Sequence, residues 1–341
     1  MTLRVLVCEY ITGGGLAGHP LPPSLAREGD LMLSALIRDL SSLPGVEVLS
    51  TRDRRLALPA LDARFAVPEP GADIFALWSD LAASADAVWP IAPETAGCLE
   101  RLSVLALGRD RLLLGSRPEA VRVAASKLAT SVLLARHGVP VVATAPANGP
   151  LPPSGSGWVV KPDDGVGAEE TVYFADAAEL ATHLAAEDRP WRHVVQPFAP
   201  GIAASLSVLF RDGEASLLSC NRQDVAIEDG HFRYRGGVTG GLEELRPVLA
   251  PVAAAVAEAM PGLWGYAGID LILTEDREDD GPSLRPLVLE VNPRLTTSYV
   301  GLAEALGLNP AGLVLELATE GRLAAALPVR SVPVGLEAYA G

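Results

Sequence analysis

Two stretches of this sequence carry residue types whose spacing suggests chemistry. Trp158-Val159-Val160-Lys161-Pro162-Asp163-Asp164-Gly165-Val166-Gly167-Ala168 reads as an apolar strand that delivers a lysine and then opens into a glycine-bearing loop. A cation followed by backbone largely free of side chains suits the oxygens of a polyphosphate. Pro286-Leu287-Val288-Leu289-Glu290-Val291-Asn292-Pro293-Arg294 reads as a second strand. Side chains alternate with period two along a strand, so Glu290 and Asn292 share one face. Oxygen ligands at that spacing suit Mg²⁺, a hard cation usually shared between one or two carboxylates and substrate phosphates. A phosphate clamp and a magnesium strand in one chain point to an ATP-consuming enzyme.

Tyr266-Ala267-Gly268-Ile269-Asp270-Leu271-Ile272-Leu273 precedes the Glu290 strand, separated from it by the charged insert Thr274 to Gly281. An insert of that kind predicts an antiparallel hairpin, with Asp270, Glu290 and Asn292 on one face. Carboxylates set in otherwise apolar strands are costly without a partner, and a bound cation answers that cost. Arg294 follows at the same parity, where a guanidinium can grip a phosphate oxygen or a substrate carboxylate by two parallel bonds. Read alone, the Lys161 loop is equally a hairpin turn, and it matches neither the Walker A pattern nor the dinucleotide fingerprint. Gly13-Gly14-Gly15 allows close approach of a ligand to the backbone and is equally a plain loop. A dinucleotide-dependent oxidoreductase needs a fuller glycine fingerprint with an acidic ribose partner about 20 residues on, and neither is evident.

The 341 residues suffice for two or three domains with a substantial core. A net charge of −15 argues against a nucleic-acid or anionic membrane surface. No stretch reaches the roughly 18 apolar residues that span a bilayer, and residues 1 to 10 lack a signal-peptide pattern. The expectation is a cytoplasmic protein. Cys8, Cys98 and Cys220 lack metal-ligand spacing and read as small buried hydrophobes. The five histidines form no close pair.

These groups need elements to position them. Leu3 to Tyr10, Val46 to Ser50 and Ala85 to Pro90 read as strands, with a helix from Ser24 to Leu40. That alternation predicts an open, mostly parallel α/β sheet over residues 1–112, whose strand ends carry Gly13 to Gly15 and Pro90 to Glu94. Arg117 to His137 reads as a helical stretch carrying Lys127, followed by a Pro/Gly/Ser linker from Pro146 to Gly157. The Lys161 strand, Val172 to Phe174, a helix from Ala177 to Ala186 and His193 to Phe198 follow. Ala204 to Phe210 and Ala215 to Cys220 predict an antiparallel pair turned at Asp212-Gly213, and Arg246 to Ala259 a helix.

Together these residues resemble the ATP-grasp superfamily over nearly the whole chain. The resemblance implies an N-terminal open parallel α/β domain (1–112) and a two-subdomain ATP-grasp fold, subdomain A over 113–193 and subdomain B over 194–341. It implies that Lys127 and Lys161 bind ATP phosphates under the loop bearing Asp163, Gly165 and Gly167. By the same resemblance Gln196, Pro197 and Phe198 form the hinge at adenine. Asp270, Glu290 and Asn292 would hold Mg²⁺, with Mn²⁺ an alternative, and Arg294 and Lys161 would serve catalysis. Relatives carry an acidic ribose contact soon after the hinge glycine; Gly201-Ile202-Ala203-Ala204-Ser205 has none.

Glu9 to Gly15, Ile91 to Thr95, Asn221-Arg222-Gln223 and Asn292 to Tyr299 are similar to the tyramine–glutamate ligase group of methanofuran biosynthesis, or its methylofuran counterpart. That resemblance implies amide formation between L-glutamate and tyramine or tyrosine, with small-molecule partners only and a homodimer by analogy. It places glutamate near Arg222 and the Gly236 to Gly241 loop, including Gly240, and the amine near Gly13, Gly14, Gly15 and Glu94. Ligation of another amino acid or dipeptide, and a non-catalytic nucleotide-binding protein, remain the alternatives.

Overall fold

The computed structural model describes residues 2–167, 170–186, 192–278 and 281–335. Ala168 and residues 279–280 of the charged insert therefore lie outside the described residues. The apolar run at the N-terminus forms β1 (Leu3–Glu9), and α1 (Pro23–Ser41) follows, begun by prolines whose φ is already helical. Then come β2 (Val46–Thr51), β3 (Arg64–Ala66), α2 (Ile74–Ala83), β4 (Ala87–Ile91), α3 (Cys98–Gly108) and β5 (Leu112–Leu113). The strands form a parallel sheet in the order β3-β2-β1-β4-β5. The expected third strand is thus fourth in chain order, since the three residues of β3 are too short to show a period.

The helical stretch predicted from Arg117 to His137 is two helices, α4 (Pro118–Ala124) and α5 (Lys127–Arg136). Ser126 breaks it: its backbone is extended and its hydroxyl accepts from Ala129 N–H at 3.0 Å, capping α5. Lys127 thereby becomes the first residue of a helix. A small antiparallel layer follows, made of β6 (Ala145–Pro146), β7 (Trp158–Pro162), β8 (Val172–Phe174) and β9 (His193–Pro197), covered by α6 (Ala177–Ala186).

The remaining strands are β10 (Ile202–Arg211), β11 (Glu214–Glu228) and β12 (His231–Thr239), then β13 (Gly265–Glu278) and β14 (Gly281–Asn292), with α7 (Arg246–Ala259) between β12 and β13. They form an antiparallel sheet ordered β14-β13-β10-β11-β12, and β12 meets β8 at the single pair His231–Val172. The segment expected as a Gly236 to Gly241 loop is strand up to Thr239, paired on both sides. Its glycines let neighbouring backbone approach closely, which hid the strand from a reading by side-chain type. The chain closes with α8 (Leu302–Leu306), α9 (Pro310–Glu320) and β15 (Val332–Gly335), the last paired with β12.

One core joins the two sheets. Val5, Leu33, Leu36 and Leu40 of the first sheet layer pack in the same cluster as Leu209, Leu218, Tyr299 and Val314. A polar tie runs through it: the buried Tyr299 hydroxyl donates to Asp39 of α1 at 2.8 Å. The core cluster of the β6–β9 layer holds, among the described residues, four buried side chains, Ala147, Val160, Leu180 and Val195. Among the described residues, no single helix is long and apolar enough to cross a membrane.

Burial pushes the Asp39 carboxyl up to about 6, against the Tyr299 hydrogen bond, which lowers it. The folded protein then holds this proton more tightly than the unfolded chain, whose aspartates titrate near about 4. The contribution is fully present below pH about 4 and lost as pH rises through 6. Asp39→Asn keeps an acceptor for Tyr299 and should remove this decline. The melting-temperature difference, variant minus parent, should grow in the variant's favour from pH 4.5 to pH 7.5; a flat difference contradicts the assignment.

Candidate active site

The pairing of β13 with β14 sets Asp270 directly opposite Glu290, with a bulge immediately after Asp270. Bulges re-aim side chains where a ladder is interrupted. Both carboxylates line a cavity between the β6–β9 layer and the larger antiparallel sheet, along with Lys127, Lys161, Asn292 and Arg294. The Asn292 amide donates to Asp270 Oδ2 at 3.0 Å, and Gln223 on β11 donates to Asp270 Oδ1 at 3.0 Å. Lys127 Nζ lies 3.3 Å from Glu290 Oε2.

Like charges this close cannot ionise independently. Burial, and then the charge of Glu290, push Asp270 up to about 7. Burial also works against the Glu290 anion, but Lys127 and Lys161 outweigh it and hold that carboxyl well below the usual range. Burial lowers Lys161 to about 8, while Glu290 pulls the other way. The arrangement is a stack of anions and cations in one cavity. Two carboxylates and an amide oxygen suit a hard divalent cation that takes its other ligands from phosphates. Among the described residues no cluster of three His, Cys, Asp or Glu side chains offers a metal cage.

The lysines are positioned by the loop between them. Lys127 Nζ donates to Gly165 O at 2.6 Å, and its backbone N–H to Asp163 O at 3.1 Å. The Asp163 carboxylate accepts from Leu128 N–H at 2.9 Å, at the start of α5. Asp163 therefore joins the loop to the helix and does not line the cavity, whereas Gly165 and Gly167 do. Val142, Val159, Phe198, Ala203, Ile272 and Leu289 give the same cavity apolar lining, with Gln196 and Pro197 among its other residues. The buried Gln196 amide is pinned by donation to Thr144 Oγ1 at 2.8 Å. Such a lining accepts a flat heteroaromatic ring.

Arg294 is where the expected geometry changes. Its guanidinium pairs with the buried Glu94: Nη2 donates to Oε2 at 3.0 Å, and Nε lies 2.9 Å from Oε1 as a charge contact without hydrogen-bond alignment. Nη1 also donates to Leu295 O at 3.1 Å. The bidentate edge expected to grip phosphate or carboxylate is occupied by the protein, so Arg294 presents charge and its remaining N–H. Glu94 was expected at an amine, and its carboxylate is spent on this pair.

Gly13, Gly14 and Gly15 are not among the residues lining the cavity. They form a turn (Ile11–Gly15) folded over the Glu9 carboxylate, which accepts from Ile11 and Thr12 N–H and from the Thr12 hydroxyl. A methyl on Gly13 would meet Thr51 Oγ1 at 2.8 Å, and one on Gly15 would meet Tyr10 O at 2.5 Å, so the run serves internal packing. Arg222 lines an adjoining groove with Arg235, Gly237 and Val334, and that groove shares Ala203, Gln223 and Val225 with the cavity. Gly240 is held inside the fold by Asn221 Oδ1 at 3.1 Å. Glu28 and Met32, one turn apart on α1, line the cavity and were not singled out from sequence. Their i, i+4 spacing is visible there, but an acidic residue on a surface-like helix carries no signal of what it faces.

The ATP-grasp domain family matches residues 124–298, and the pre ATP-grasp 3 domain family matches residues 46–121. An Archaeoglobus fulgidus protein assigned to the ATP-grasp superfamily is similar in structure, at TM-score 0.70 and 24% identity, covering 97% of this chain and 91% of that one. L-amino acid ligase from Bacillus licheniformis superposes at TM-score 0.68 and 20% identity, over 97% and 78% of the two chains. N5-carboxyaminoimidazole synthetase from Staphylococcus aureus, complexed with ADP, does so at 0.65 and 12%, over 98% and 81%. Among curated proteins, none matches this chain in sequence.

The geometry predicts the effect of deleting Glu290. Glu290→Ala should weaken Mg²⁺-dependent ATP binding by more than about 100-fold, beyond what loss of an outer partner to a metal ligand produces, with the far-UV circular dichroism unchanged. Calorimetric titration with and without Mg²⁺ reads this, and retained Mg²⁺ dependence removes Glu290 from the site.

Proposed function

The chain belongs to the ATP-grasp family, and from that premise we propose that it joins a carboxylic acid to an amine through an acyl phosphate. The observation that carries this reading is the stack of Lys127, Glu290, Asp270 and Lys161 in one cavity, whose apolar lining suits a heteroaromatic ring. Phosphoryl transfer of this kind asks the protein mainly for positioning and charge stabilisation.

In this mechanism a substrate carboxylate attacks the γ-phosphorus of ATP, forming the acyl phosphate and releasing ADP. The amine then attacks the acyl carbon, and inorganic phosphate leaves as the amide forms. Lys127 and Lys161 neutralise phosphate oxygens. Asp270, Glu290 and Asn292 are the residues that would hold Mg²⁺, which when bound supplies positive charge to the phosphates. Arg294 adds charge beside them, acting electrostatically on the developing oxyanion. Gly165 and Gly167 cover this end of the cavity. Exclusion of water there protects an acyl phosphate from hydrolysis.

The finer reading is that the acid is L-glutamate and the amine tyramine or tyrosine, in formation of a methanofuran- or methylofuran-type cofactor. It rests on the similarity of Glu9 to Gly15, Ile91 to Thr95, Asn221 to Gln223 and Asn292 to Tyr299 to that ligase group. Thr296, Thr297 and Ser298 of the last stretch line the cavity, which supports a substrate role for it. The amine end is assigned to Glu28 and Met32: an ammonium meets the carboxylate and an apolar body meets the thioether. A ligase for other amino acids is the second reading, supported by the fold shared with L-amino acid ligase.

Phosphate release from Mg-ATP with L-glutamate should require tyramine or tyrosine and yield a new amide by mass spectrometry. Release with other acid and amine pairs only would move the reading to those substrates. Glu28→Gln should raise the KM for the amine about 10-fold, the value of a lost charge-assisted hydrogen bond, without changing the KM for ATP. An unchanged amine KM displaces the amine from Glu28.

A further inference from the structure

Glu94 sits at the head of a four-residue segment that touches the candidate active site from the first sheet layer in two directions. On one side the buried Glu94 carboxylate pairs with the part-buried Arg294, accepting from Nη2 at 3.0 Å and lying 2.9 Å from Nε. On the other side the next two residues hold the glycine-bearing loop. Thr95 Oγ1 donates to Asp164 O at 2.7 Å, and Ala96 N–H donates to Asp164 Oδ2 at 3.2 Å. At the Ala96–Gly97 end of the segment the backbone is bent sharply. Ala96 is left-handed at φ 54° and Gly97 at φ 69°, and a non-glycine residue adopts that conformation only when its surroundings enforce it.

We propose that Glu94 is a positioning residue that couples the placement of Arg294 to the docking of the phosphate loop. The pair anchors the Glu94 end of the bend, which holds Thr95 and Ala96 in the orientation the loop needs. Asp164 then brings the Lys127–Gly165 contact and the loop over the same cavity that Arg294 faces. The charge of Arg294 and the cover over the phosphates are therefore set by one short segment from another layer of the fold. The catalytic consequence of this device rests on the ligase reading; the coupling itself does not.

The test uses Glu94→Gln in the full chain, with Glu94→Asp as the conservative control. Hydrogen–deuterium exchange of the nucleotide-free protein should rise by about 10-fold or more in both 293–298 and 163–167, while the β1–β5 sheet stays protected. Glu94→Asp should restore most of the protection. Increased exchange in 293–298 alone overturns the coupling, and unchanged exchange in both overturns the positioning role. Loss of protection throughout the chain reduces Glu94 to a fold-wide structural contact and also overturns it. In turnover, Glu94→Gln should lower kcat about 10- to 100-fold, as expected for a lost charge-assisted pair, with the KM for ATP within about two-fold. A parent enzyme without acid- and amine-dependent phosphate release sinks the ligase reading, while the exchange result still decides the coupling.

Discussion

Asp270 and Glu290 face each other across one strand pair, and the rest of the site answers that arrangement. Two buried carboxylates this close repel, and only nearby cations let one of them stay ionised. Lys127 comes from the start of α5, which packs with β14 in the core of the larger sheet, and Lys161 from the end of β7 in the β6–β9 layer. Their charges permit Glu290 to stay ionised while Asp270 is held near neutrality. In the proposed mechanism the same four groups exchange these mutual contacts for Mg²⁺ and phosphate oxygens.

The layers of the fold differ in how firmly they are held. The first sheet and the larger antiparallel sheet share a continuous apolar core, tied by the Tyr299–Asp39 hydrogen bond. Among the described residues, the β6–β9 layer has a core of four buried side chains and meets β12 through one residue pair. Regions with few buried apolar contacts open at lower free energy than a global core. The β6–β9 layer, which delivers Lys161, is therefore the yielding half of the clamp, and the larger sheet with α5, which carries Lys127 and both carboxylates, the firm half. A small polar nest under the Arg294 segment adds to that firmness. Tyr266 donates to Ser207 and contacts Thr296, Asn221 bridges Ser205 and Ser207, and Thr239 donates to Ser298 O.

Several residues of the site were legible in sequence because local chemistry contradicted local environment. Charges in the apolar runs around Asp270, Glu290 and Lys161 demanded partners, and period two put Glu290 and Asn292 on one face. Glu28, Gln223 and Asp164 gave no such contradiction, since polar residues on a helix, a strand or a turn are ordinary. The Gly13 to Gly15 run misled for the opposite reason. Glycines signal that something comes close, but here it is Thr51 and Tyr10.

The sequence by itself determined the strands that carry Lys161, Asp270 and Glu290, the antiparallel hairpin that joins the last two, and the kind of charge each delivers. These follow from periodicity, turn residues and burial cost, all local quantities. Only the tertiary structure decided which charges meet. The partnership of Glu94 with Arg294 joins residues 200 positions apart that follow strands of two different sheets, and no spacing rule relates them. It also decided that Asp163 serves a helix start, that Arg222 faces another groove, and that α1 contributes Glu28 to the cavity. The physical reason is that a side chain's type is written in the sequence, whereas its partner depends on how the sheets pack.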